Sequence, residues 1–112
     1  MSYKDLIAWQ KSMDLVERVY TVCRELPDDE RYALSDQLKR AAVSIPSNIA
    51  EGHKRHGKAE TARFAGIALG SAAEVETQLI LACRLHNIDT TQEQALTVEV
   101  QQLLSGLIRS LR

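Results

Sequence analysis

What most constrains this chain is the spacing of its apolar residues. In four long segments they recur every three or four positions, and short polar breaks separate the segments. That period is helical. In the first segment Leu6, Trp9, Met13, Val16, Tyr20 and Cys23 form one stripe, with core packing expected of Trp9, Met13 and Tyr20, and Leu15, Val19, Val22 and Leu26 form a second beside it. Together they cover an arc of roughly 200°, whereas a surface helix needs only about 100°. The excess predicts either flanking on two sides within the subunit or contact with another subunit. Pro27-Asp28-Asp29 breaks this helix.

The second segment starts near Ser35 or Asp36, with Leu38, Ala41, Ala42, Ile45 and Ile49 as its core face. Pro46 lies inside it, which removes a donor and predicts a kink; Ser44, Ser47 and Asn48 are placed to satisfy the freed backbone groups. Gly52 is expected to end it. The third segment carries Phe64, Ala68, Ala72, Val75, Leu79 and Ala82 as its core stripe and is apolar nearly all round at its middle. Ala62, Gly66 and Gly70 are four apart, a pattern that permits close approach of a neighbouring helix. The fourth opens at Thr90 or Thr91, with Glu93 or Gln94 completing a capping box. Leu96, Val100, Leu103, Leu104, Leu107, Ile108 and Leu111 form its single face. The helices are expected at about 5–26, 35–52, 58–87 and 91–111.

Five Gly and two Pro are too few for a loop-rich β chain. The fold class predicted is all-α: one domain over residues 1–112, an antiparallel up-down-up-down four-helix bundle. Surplus apolar surface on the first and third helices predicts a homo-oligomer.

Fourteen Lys and Arg against fifteen Asp and Glu give a net charge of −1, which excludes a globally basic nucleic-acid coat. The start Met1-Ser2-Tyr3-Lys4-Asp5 has no signal-peptide pattern, and no uncharged stretch exceeds ten residues, against about 20 for a membrane span. A cytoplasmic chain without membrane contact is expected. Cys23 and Cys83 are far apart and read as small core hydrophobes.

Three stretches carry a family likeness: Tyr3 to Lys11; Glu30 to Gly52, with its Arg-Ala-Ala-x-Ser-Ile-Pro-x-Asn-Ile-Ala-Glu-Gly core; and Ala68 to Leu79. The chain resembles the four-helix bundle proteins named for the intervening sequences of 23S ribosomal RNA genes. The resemblance covers about residues 3–87. It implies a bundle that assembles into a ring, most often a pentamer, with no established catalytic activity. A related branch, the accessory variability proteins of diversity-generating retroelements, forms a basic pentameric barrel that binds a reverse transcriptase and nucleic acid. The present chain departs from that branch in its charge of −1, and it has Ala33 where a glycine is common.

Candidate sites follow from charge and residue type. Lys39, Arg40, Lys54, Arg55, Lys58 and Arg63 are six cations against Glu51 and Glu60. Gathered at one end of the bundle, they would form a rim for the phosphates of RNA or DNA. No aromatic residue interleaves with them, which argues for backbone contacts only. Leu15, Val19, Val22, Asn48 and Glu74 are the candidate oligomer interface, with Glu74 paired to Arg40 across it. His53-x-x-His56 lacks the further ligands a metal needs and reads as surface histidines. Cys83-x-x-His86 puts His86 on the stripe of Val75 and Leu79, where a partly buried, hydrogen-bonded histidine is expected rather than a ligand. No Glu-x-x-His pair suits a di-iron centre. Ser44, Ser47, Asn48 and Glu51 have no nucleophile–base spacing. No catalytic residue, metal site, cofactor or small-molecule substrate is therefore assigned. The function expected is a non-enzymatic scaffold or adaptor; the alternative is a nucleic-acid accessory protein, with a polymerase as a further partner.

Overall fold

The computed structural model covers residues 1–112 and contains four α-helices: α1 (Ile7–Glu25), α2 (Leu34–Lys54), α3 (Lys58–His86) and α4 (Thr91–Ser110). Tyr3–Asp5 and Asp28–Glu30 are single 3-10 turns. Consecutive helices pack side by side and α4 closes against α1, so each helix has two neighbours around a shared core. This is the all-α four-helix bundle expected. It measures 43 × 22 × 19 Å. At 1.5 Å per residue the 29 residues of α3 run its whole length.

Local chemistry sets the helix ends. The Ser2 hydroxyl accepts from the Lys4 N–H, and the Ser2 N–H donates to Asp5, so Tyr3–Asp5 is capped as a turn of its own. Leu6 is extended, and α1 begins two residues later than the expected Asp5. Leu26 is also extended, as the residue before Pro27 must be. Gly57, at φ 94°, enters α3, and Asn87 closes it in the left-handed conformation.

Two expected ends are corrected. Gly52 does not end α2, which runs on to Lys54. It is buried against α3, where a Cβ would stand 2.6 Å from the Phe64 Cβ and 3.3 Å from the Thr61 carbonyl oxygen. No capping box opens α4. Asp89 Oδ1 instead accepts from the Thr91 N–H (3.0 Å) and hydroxyl (2.7 Å). The buried Thr90 hydroxyl donates to the Leu79 carbonyl, tying the start of α4 to α3. The Asp89 carboxyl is held below its ordinary pKa chiefly by the Thr91 hydroxyl.

The core stripes expected of α2 and α3 are all buried. Those of α1 are exchanged. Leu15, Val19, Val22 and Leu26 fill the core, while Met13 and Tyr20 of the other stripe are 41% and 38% exposed. Val100 and Leu104 are the fully buried apolar residues of α4. Cys23 is buried, and burial pushes its thiol pKa up; Cys83 is exposed, against expectation. Gly66 and Gly70 admit no helix within the subunit: both are exposed, with nothing within 4 Å of a Cβ. By length and composition α3 could cross a membrane despite its charges, but its core stripe lies inside the bundle.

Candidate interaction surfaces

The six cations do not gather at one end. The α2–α3 hairpin holds Lys54, Arg55, Lys58 and Arg63 together. Lys39 and Arg40 lie 14 or more residues back along α2, about 20 Å away along the axis. Alternating helix direction brings the start of α1 and the end of α4 to the hairpin end as well. Lys4, Arg109 and Arg112 join it there, so seven Lys and Arg face Asp5, Glu51 and Glu60. The charge missing from the whole chain is therefore present at one end of it.

Two arginines at this end are fixed by an aromatic ring that sequence reasoning overlooked. The guanidinium carbons of Arg55 and Arg63 lie 5.1 and 4.6 Å from the centre of the Phe64 ring. Cation–π attraction of this kind preorganises the guanidinium plane. Phe64 adjoins Arg63 in sequence, which was the available signal. Each arginine also meets a carboxylate: Arg55 Nη2 to Glu51 Oε1 at 2.9 Å and Arg63 Nε to Glu60 Oε2 at 3.3 Å. The Glu51 bond raises the Arg55 pKa further. Both guanidinium groups remain at least half exposed.

Leu15, Val19 and Val22 cannot form a subunit interface, because they are 0–2% exposed inside the subunit. The surface left open lies on the other side of α1. Trp9, Met13 and Val16 line a groove of ≈ 380 Å³ with Val43, Pro46 and Ala50 of α2. An open depression of ≈ 540 Å³ continues past Tyr20, Lys39 and Arg40. The Lys39 ammonium lies 5.0 Å from the Tyr20 ring centre.

Around Pro46 the side chains of Ser44 and Asn48 are occupied within the subunit, while Ser47 is exposed. Asn48 Nδ2 donates to the Ser44 carbonyl (2.8 Å) and Ser44 Oγ (2.9 Å), and Ser44 Oγ meets Ser71 Oγ of α3 at 2.9 Å. Asn48 thus supports the Ser44 turn and not the Ala42 carbonyl that Pro46 leaves without its usual donor. Within the subunit Arg40 Nε pairs with Asp36 at 3.0 Å. Glu74 is exposed and makes no ion pair within the subunit, whereas Gln78, one turn on, is buried with an unpartnered Oε1. His86 is the partly buried, hydrogen-bonded histidine expected, and only its partner carried no local signal: His86 Nε2 meets Glu30 Oε2 at 2.6 Å across 56 residues, and that bond lowers the Glu30 pKa. His53 lies edge-on to the Tyr3 ring, and no three His, Cys, Asp or Glu side chains converge as metal ligands.

The family model for the 23S rRNA-intervening sequence protein matches residues 4–109. The chain belongs to that family. Among solved structures it is similar to a protein of unknown function from the S23 ribosomal protein family of Bacteroides thetaiotaomicron. The TM-score is 0.82 and the identity 26%, over 92% of this chain and 99% of that one. No curated protein matches the chain.

Proposed function

We propose that this member of the 23S rRNA-intervening sequence protein family is a non-enzymatic cytoplasmic scaffold or adaptor whose subunits assemble into a ring, five being the number the family resemblance implies. One observation carries this reading. Met13, Tyr20, Val43, Ile67, Leu81 and Leu85 are each more than a third exposed on the outer faces of α1, α2 and α3. A bundle that left these faces in water would keep apolar surface that association removes. Native mass spectrometry of the purified protein tests the reading. A multiple of 12.5 kDa near five is expected, and a bare 12.5 kDa species would overturn it.

The cationic hairpin end favours a second reading, that of a nucleic-acid accessory protein which grips phosphate backbone and serves a polymerase partner. Seven cations against three carboxylates at one end would repeat around a ring as a positive rim. RNA and DNA binding measured against salt concentration tests it. Affinity that falls steeply with salt, and is lost when Lys54, Arg55, Lys58 and Arg63 are changed to Glu, supports this role. Binding unchanged by those substitutions removes the rim from consideration.

A further inference from the structure

We propose that the α1–α2 groove receives a second copy of this chain: the outer edge of α3 from one subunit seats in the groove of the next, with Glu74 against Lys39. This rests on the oligomer reading above and adds which two faces meet.

The faces are complementary in shape and charge. The groove presents Trp9, Met13 and Val43, and the depression that continues past Val43 holds Lys39, whose ammonium has the Tyr20 ring beside it and no carboxylate partner. The α3 edge presents Ile67 and Leu81, with the unpaired Glu74 between them. Gly66 and Gly70 stand on the exposed side of the same helix. Glycine weakens a helix interior, and nothing in the subunit occupies the space these two leave. That space suits the projecting side chains of the groove, Met13 above all.

The register of the bundle places the two faces at matching heights. Ser44 meets Ser71 and Gly52 meets Phe64, so α2 and α3 run past each other in a fixed antiparallel alignment. By that alignment Glu74 is level with Ala41, two residues or about 3 Å of rise from Lys39. Gly70 is level with Ile45, beside Pro46. From Glu74 to Gly70 and from Lys39 to Pro46 the chain runs toward the same end of the bundle. Copies related by rotation about an axis parallel to the helices must meet at equal heights, and these faces do. A two-fold pairing of groove with groove would leave both Glu74 edges uncovered. The two faces belong to different sides of the subunit, so the contact is heterologous and closes into a ring where the rotation allows.

Sedimentation velocity and native mass spectrometry on wild type, Glu74→Lys, Lys39→Glu, the double variant and Gly70→Leu test this seat, with circular dichroism confirming the helical fold of each. Each single charge reversal is expected to weaken assembly about tenfold or more, and the double variant to recover most of it. Gly70→Leu is expected to fold, since its side chain meets open space in the subunit, and to dissociate. A wild-type multimer whose variants all keep their mass overturns the seat and leaves the oligomer reading intact. A double variant no tighter than the singles overturns the seat as well. A monomeric wild type overturns both.

Discussion

Gly52 of α2 and Phe64 of α3 are so close that position 52 has no room for a side chain: a Cβ there would lie 2.6 Å from the Phe64 Cβ. The obstacle is the root of the phenylalanine side chain and not its mobile end. Gly52→Ala is therefore expected to destabilise the fold by about 1–3 kcal/mol, despite the better helix propensity of alanine. Urea unfolding monitored by circular dichroism measures this. An unchanged or raised midpoint would contradict the close approach.

The exchange of stripes on α1 has a direct test. Leu15 is fully buried, and Leu15→Ala should cost about 2–5 kcal/mol of stability. Met13→Ala, at a position 41% exposed, should change the stability of the isolated subunit by no more than about 0.5 kcal/mol. Equal losses for the two variants, measured at concentrations where the protein is monomeric, would place Met13 in the core.

The Glu30–His86 pair predicts an acid limb of stability. The Glu30 pKa is lowered in the folded state, first by its hydrogen bond to His86. A carboxyl with a depressed folded pKa contributes stability that is present above its unfolded pKa and lost as pH falls through the folded one. The window therefore lies below the ordinary value of 4.5. Glu30→Gln should unfold at a lower urea concentration than wild type at neutral pH, and the gap should narrow toward about pH 3. A gap that stays constant would show that the pair does not titrate with folding.

The two thiols should differ in reactivity. Cys83 is exposed, while Cys23 is buried, with its thiol pKa raised by burial and its Sγ directed at the Ser35 carbonyl (3.7 Å). A thiol reagent should modify one cysteine of the native protein quickly and the second only after denaturation, as read by mass spectrometry. Rapid modification of both would show that the α1–α2 contact opens in the native state.

The sequence made the helices legible because period and core face coincide on α2 and α3: Leu38, Ala42, Ile45 and Ile49 could face only one way, as could Ala68, Ala72, Val75 and Leu79. On α1 both stripes were apolar, and the one that turned inward was decided by where α2 and α4 dock, which no local pattern encodes. Gly52 looked like a helix terminator because a C-cap and a close helix contact both select glycine. The cationic site was half legible. Residues 54–63 cluster because a short hairpin joins them, but Lys39 and Arg40 belong to the same charge-rich stretch and are carried away by the rise of α2. His86 was legible as a partly buried, hydrogen-bonded histidine from its place on the core stripe, but its pairing with Glu30 left no trace, because a helical bundle joins residues 56 apart without any sequence period.

Three of the four helix interfaces join helices consecutive in the chain, and the α1–α4 contact alone spans it end to end. Local contacts dominate such a topology, which is the condition for rapid folding. The α1–α2–α3 arrangement closes connections of eight and three residues, while α4 must find α1 across the full chain. A nascent chain can thus bury most of its core before its last helix is made. Until α4 arrives, one side of α1 and one of α3 stay open to whatever apolar surface is nearby, including that of another copy.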